Sequence, residues 1–220
     1  MSDHAPDDFE VTHGHYEDQR ASLGKRIIDG WRDMRKSTAR LIAEDPAEAR
    51  LLFYVMLSDI VTFLSWSLKT VVAPPQAAED RLPVAIAVYL ILMLFARTAS
   101  MYIFAGAIGA VCKLFGGKGS WRDTRAGVFW GALVAAPFGL AMALFTIFLA
   151  FMEPTFPALG ADWIALPPYW ISMVPFLWFI SVGVAEAHGF RRVGFLFLSL
   201  SILTIAGVFG ALILDARGVI

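Results

Sequence analysis

The chain has 220 residues, 58% of them hydrophobic, and a mean hydropathy of +0.64. Soluble domains are roughly half apolar or less, so a soluble globular domain is excluded. The formal net charge of −1 says nothing about partners, because the charges are segregated along the chain.

Stretches of about 20 apolar residues, enough to cross ~30 Å of hydrocarbon, recur along the sequence. They predict an all-α, polytopic integral membrane helical bundle with five transmembrane helices and an N-terminal amphipathic interfacial helix. The single cysteine, Cys112, excludes an internal disulfide. It ends an apolar stretch, as a small buried hydrophobe does.

Residues 1–20 are acidic and poor in apolar side chains, which predicts a disordered tail. The first 18 residues hold six acids, no Lys or Arg, and no apolar run of the signal-peptide kind. A cytoplasmic tail is therefore expected. His4, His13 and His15 lie there, but no fixed backbone would hold them around a metal ion, so no metal site is assigned.

Character changes over residues 21–45. Leu23, Ile27, Ile28, Trp31, Met34, Leu41 and Ile42 fall roughly at helical spacing, with Lys25, Arg26, Arg32, Arg35, Lys36 and Arg40 between them. Such a helix suits the headgroup plane, where anionic inner-leaflet lipids attract basic side chains. The same pattern also suits a helix packed on another protein or on the cytoplasmic loops.

The membrane domain is expected over 46–214. Asp45 and Pro46 suggest a helix cap followed by proline at the helix start. The first span then covers about 48–72, with Asp59 well inside the hydrocarbon. Residues 73–81, with Pro74 and Pro75, form a far-side turn. The second apolar stretch, 82–115, is too long for one straight span, so it either tilts or bends near Gly106 and Gly109. It contains Arg97, at a depth similar to that of Asp59. An unpaired charge there costs at least ~2.5–3.5 kcal/mol. The two are therefore expected to form an intramembrane ion pair, which either fixes helix register or serves a proton or ion relay.

Residues 113–125 are the longest polar break in the apolar run. Lys113, Lys118, Arg122 and Arg125 face a single acid, Asp123, around a glycine turn. Gly116-Gly-Lys-Gly-Ser120 looks like the end of a phosphate loop, but its spacing and its helix-to-helix context do not fit one. A turn of this kind can meet lipid phosphate or remain a solvated turn. The third span is expected over 127–151, with a small-xxx-small pair, Gly127 and Gly131, and a kink at Pro137 whose freed carbonyl needs a partner. The fourth covers about 163–187, with Tyr169 and Trp170 at an interfacial start and a further kink at Pro175. The fifth covers 193–214, and 215–220 is a short tail.

Lys and Arg number eight in the N-terminal region, four in the glycine turn and two at Arg191-Arg192. The intervening segments 73–81, 152–162 and 215–220 carry one, none and one. By the positive-inside rule the N-terminus is cytoplasmic and the C-terminus lies opposite. Glu186 and His188 adjoin with no nucleophile beside them, so catalysis is not assigned. No cofactor and no nucleic-acid partner is expected.

The run Leu114-Phe-Gly-Gly-Lys-Gly-Ser-Trp121, then Pro137, then Trp178-Phe-Ile-Ser-Val-Gly-Val-Ala-Glu-Ala-His-Gly-Phe190, resembles the Yip family over about 46–214. These are multi-pass membrane proteins named for interacting with Ypt/Rab GTPases. The short loops are similar to those of bacterial members, which implies a bacterial inner membrane. The resemblance implies no enzymatic activity and carries over no catalytic residue. Gly116, Gly117, Lys118, Pro137, Glu186, His188 and Gly189 match its pattern. With Arg122, Arg125, Arg191 and Arg192 they are the expected structural, lipid or partner contacts. The function expected is a non-enzymatic scaffold or adaptor working through lipids or membrane-protein partners. The alternatives are an accessory subunit packing through Gly127, Gly131, Gly207 and Gly210, or a small transporter using Asp59 and Arg97.

Overall fold

The computed structural model describes residues 21–72, 82–165 and 167–218. The acidic tail 1–20 with its histidines, and the turn at 73–81, lie outside the described residues, as does the side chain of Tyr169. Every element longer than a turn among the described residues is helical, and the fold is an all-α membrane bundle.

One amphipathic helix was expected over 21–45; there are two. Helix α1 is Leu23–Arg32 and α2 is Met34–Ala43. Asp33, extended at φ −150°, ends the first, and its carboxylate caps the second by accepting from Lys36 N at 3.0 Å. Short polar side chains compete for backbone N–H groups in this way, which favours caps over helix interiors. The pair folds back onto the bundle instead of standing alone.

Asp45 does not cap the first span. It sits at φ +44°, a left-handed conformation that Asp tolerates better than most residues, and α3 begins three residues later as Glu48–Val72. Next come α4 (Leu82–Leu92), a π-helical turn (Met93–Arg97) and α5 (Thr98–Leu114). The long second stretch is therefore interrupted at 93–97 rather than near Gly106 or Gly109. A π turn adds one residue to a helical turn, and this one ends on Arg97.

Helix α6 (Trp121–Met152) is the axis of the fold. Apart from Arg125, every residue from Thr124 to Ala136 is buried. A helix that is apolar all round belongs in an interior. Around it stand α1, α2, α3, α5 and α9 (Met173–His188). Trp130 and Phe129 are fully buried with Leu41, Leu51, Val55, Leu133, Ile180 and Val184.

Among the described residues four helices are long and apolar enough to cross a membrane: Glu48–Leu68, Ile86–Leu114, Trp121–Met152 and Gly194–Ala211. The last belongs to α10 (Gly194–Ala216). The stretch expected as one span over 163–187 is divided into α7 (Asp162–Ala165), α8 (Pro167–Ile171) and α9. At ~1.5 Å per residue α9 alone is about 24 Å long. The reason is proline: Pro167 and Pro168 open α8, and Pro175 lies in the first turn of α9, where a missing N–H breaks no helical hydrogen bond. Pro175 is thus part of a helix start and not a mid-helix kink.

Candidate functional site

The turn between α5 and α6 assembles from local rules. α5 ends in a Schellman motif: Gly117 N donates to Cys112 O at 2.8 Å and Gly116 N to Lys113 O at 3.1 Å, with Gly116 at φ +82°. α9 ends the same way. Phe190 N donates to Ala185 O at 2.8 Å and Gly189 N to Glu186 O at 3.1 Å, with Gly189 at φ +72°. α6 opens with a capping box, in which Ser120 N donates to Asp123 Oδ2 at 2.8 Å and Asp123 N to Ser120 Oγ at 3.1 Å.

These two glycine-terminated ends lie against each other. Lys118 N donates to His188 O at 3.2 Å. A Cβ on Gly117 would stand 2.6 Å from His188 Nδ1, so only glycine lets the turn cross the ring. The imidazole is 2% exposed, and its Nε2 lies 2.9 Å from Thr124 Oγ1 on α6. Gly117 and Lys118 therefore meet His188 where three helices join, with Gly116 and Gly189 ending α5 and α9 on either side.

A belt of ion pairs surrounds that point. Arg122 pairs with Asp45 Oδ1 at 2.8 Å and donates to the carbonyls of Pro46 (Nε, 2.8 Å) and Asp45 (3.3 Å). Arg125 pairs with Glu48 at 2.8 Å, and Tyr102 donates to the same carboxylate at 2.8 Å. Both arginines are thus engaged in tying α6 to the start of α3. Glu186 faces α2 and not the glycine turn: Arg35 meets it at 3.1 Å and also donates to Phe190 O and Arg191 O. Lys113 stacks over the Trp121 ring at 4.2 Å. Lys118, Arg191 and Arg192 are exposed, and no carboxylate among the described residues pairs with them.

The N-terminal helices lock onto α6. Arg26 is buried, pairs with Glu44 at 3.0 Å and lies over Trp130. Trp130 Nε1 donates to Ser37 Oγ at 3.0 Å. Pro137 leaves the carbonyl of Leu133 without its helical donor, and at the neighbouring carbonyl, Val134 O, Trp31 Nε1 donates at 2.8 Å. Trp31 also meets Phe138 edge-on.

Deeper in the bundle Asp59 and Arg97 form an ion pair between α3 and the π turn. Asp59 is fully buried, and Thr98 Oγ1 donates to its other oxygen at 2.5 Å. Arg97 also reaches Ser58 Oγ at 3.5 Å. Gly127 and Gly131, considered as contacts for an outside partner, are used within the chain. A Cβ on Gly127 would lie 2.6 Å from Gly183 O, and one on Gly131 2.9 Å from Ile180 Cα, so α6 and α9 touch backbone to backbone. Gly207 and Gly210 meet nothing.

Sequence reasoning carried packing of residues 21–45 on the cytoplasmic loops only as an alternative to the headgroup plane, and it missed α6 as the docking surface, the two Schellman ends and the Ser120–Asp123 box. The last had a readable signal, Ser-x-x-Asp before an apolar run. Comparison with curated proteins finds no match, and comparison with solved structures finds none either. The Yip1 domain model matches residues 31–214, from Trp31 on α1 to Leu214 in the last turn of α10, and takes in the glycine turn, the proline of α6 and the Glu-Ala-His-Gly end of α9. The chain belongs to the Yip1 domain family.

Proposed function

We propose that this protein is a non-enzymatic membrane scaffold or adaptor that works through partners at its basic end. The observation that carries this reading is the use of the family-like motif. Its glycines, His188 and the Ser120 cap all serve to join α5, α6 and α9, while Lys118, Arg191 and Arg192 stay exposed beside the join. A rigid junction carrying free cations is a presentation surface. Charge alternation supports placing this end in the cytoplasm, with the C-terminus across the membrane, and the short loops, similar to those of bacterial members, support a bacterial inner membrane. That orientation requires a fifth crossing, completed by α8 and α9 together. A second reading, transport through Asp59 and Arg97, draws on the burial of Asp59 and its pairing with the partly buried Arg97. The direct pairing of Asp59 with Arg97, and the hydroxyl of Thr98 on the same carboxylate, support a register-fixing role for the pair.

The test is purification of the tagged protein from its native membrane in mild detergent, with identification of what accompanies it. A stoichiometric membrane protein is expected, and its recovery should fall when Lys118, Arg191 and Arg192 are changed to glutamine. Recovery of the protein alone, together with substrate uptake that depends on Asp59, would replace this reading with transport.

A further inference from the structure

Helix α10 packs on α9, where Trp178 meets Phe197 edge-on, and Phe195 at its start meets Phe115; beside that contact an open groove of about 680 Å³ lies between α10 and α5. That volume is within the ~300–1,000 Å³ typical of small-ligand clefts. The walls are apolar: Phe104, Ile108 and Phe115 on one side, Phe195, Leu196 and Leu203 on the other. Along α5 the lining runs from Phe104 to Phe115, about 17 Å of helix, close to the ~15 Å depth of one leaflet. Arg191 and Arg192, in the turn before α10, are among the residues that line the groove, and they are exposed with no carboxylate among the described residues paired to either. Arg35 holds this corner in place through the carbonyls of Phe190 and Arg191.

A slot of hydrocarbon length with two free guanidinium groups in its lining matches one chemical class, an amphiphile with an anionic head. We propose that the groove between α5 and α10 binds an anionic diacyl phospholipid. One acyl chain lies against Phe104, Ile108 and Leu203, and the phosphate is held by Arg191 and Arg192. Guanidinium groups suit phosphate because their planar fork pairs with two of its oxygens. The inference deepens the reading of the basic end as a contact surface and rests on it. It does not depend on which side of the membrane that end faces.

The test is native mass spectrometry of the detergent-purified full chain, titrated with phosphatidylglycerol or with phosphatidylcholine of the same acyl composition. One phosphatidylglycerol per protein should be retained in preference to phosphatidylcholine. The double variant R191Q/R192Q should weaken phosphatidylglycerol retention by about 30-fold, and R191K/R192K, which keeps the charges but loses the planar forks, should restore only part of it. Ala107 is exposed in the groove wall, so Ala107→Trp should abolish retention with both arginines intact. Equal retention of the two lipids, unchanged retention in R191Q/R192Q, or a second copy of the chain occupying the groove would overturn the proposal. A membrane-protein partner that still co-purifies with R191K/R192K and Ala107→Trp would leave the scaffold reading standing on its own.

Discussion

Asp59 and Arg97 illustrate what one buried charge demands of its surroundings. Each is costly alone in hydrocarbon, and removing one partner of a buried pair strands the other, at ~3–5 kcal/mol. Asp59→Ala should therefore lower the thermal midpoint in detergent sharply. The double change Asp59→Leu with Arg97→Met removes both charges and should recover most of the loss. If the double variant is no more stable than the single one, the pair does more than fix register. Depth in the two apolar stretches was enough to anticipate that these residues meet, because each had only one opposite charge within reach. The π turn that delivers Arg97, and the hydroxyl of Thr98 on Asp59, were not legible. They depend on how α4 and α5 settle against α3.

Among the elements, α6 and α9 form the closest pair, and their glycines separate two roles that composition cannot. Gly131 touches the backbone of Ile180, whereas Gly139, also on α6, faces open space. Gly131→Ala should destabilise by about 1–3 kcal/mol through overpacking. Gly139→Ala should stabilise by roughly 0.5–1 kcal/mol through reduced freedom of the unfolded chain. Thermal unfolding of the two variants side by side checks both signs, and like shifts would mean that the backbone contact is not tight. The spacing Gly127-xxx-Gly131 announced a close approach but not its partner, and the approach is spent inside the chain. The amphipathic stripe of residues 21–43 was equally readable, while its target was not. Trp31 finds a carbonyl beside the proline break and Trp130 finds Ser37, and neither pairing leaves a trace in local periodicity.

At the scale of the whole molecule, the basic segments gather at one end, where Arg35, Arg122 and Arg125 pair across α2, α3, α6 and α9. Topology is open to direct measurement, since the one native cysteine is buried. A cysteine placed at exposed Thr155 should react with a membrane-impermeant maleimide in intact cells, and one placed at exposed Lys118 should react only after lysis. The reverse pattern would invert the proposed orientation. Labelling of both in intact cells would mean that α6 does not cross.

Composition, the length of the apolar runs and the placement of charge determined by themselves that this is a helical membrane bundle with a polar turn as its pivot. They also determined which deep charges must find each other, because hydrocarbon excludes unpaired charge and unpaired backbone wherever the chain goes. Only the tertiary structure decided which faces close on one another. It folded α1 and α2 onto α6, turned Gly127 and Gly131 toward α9, committed Arg122 and Arg125 to Asp45 and Glu48, and left Arg191 and Arg192 in the lining of a groove. The bilayer constrains every span in the same way and so is written in local composition. Partner choice rests on shape and on polar atoms brought together from distant parts of the chain, and that exists only once the helices have packed.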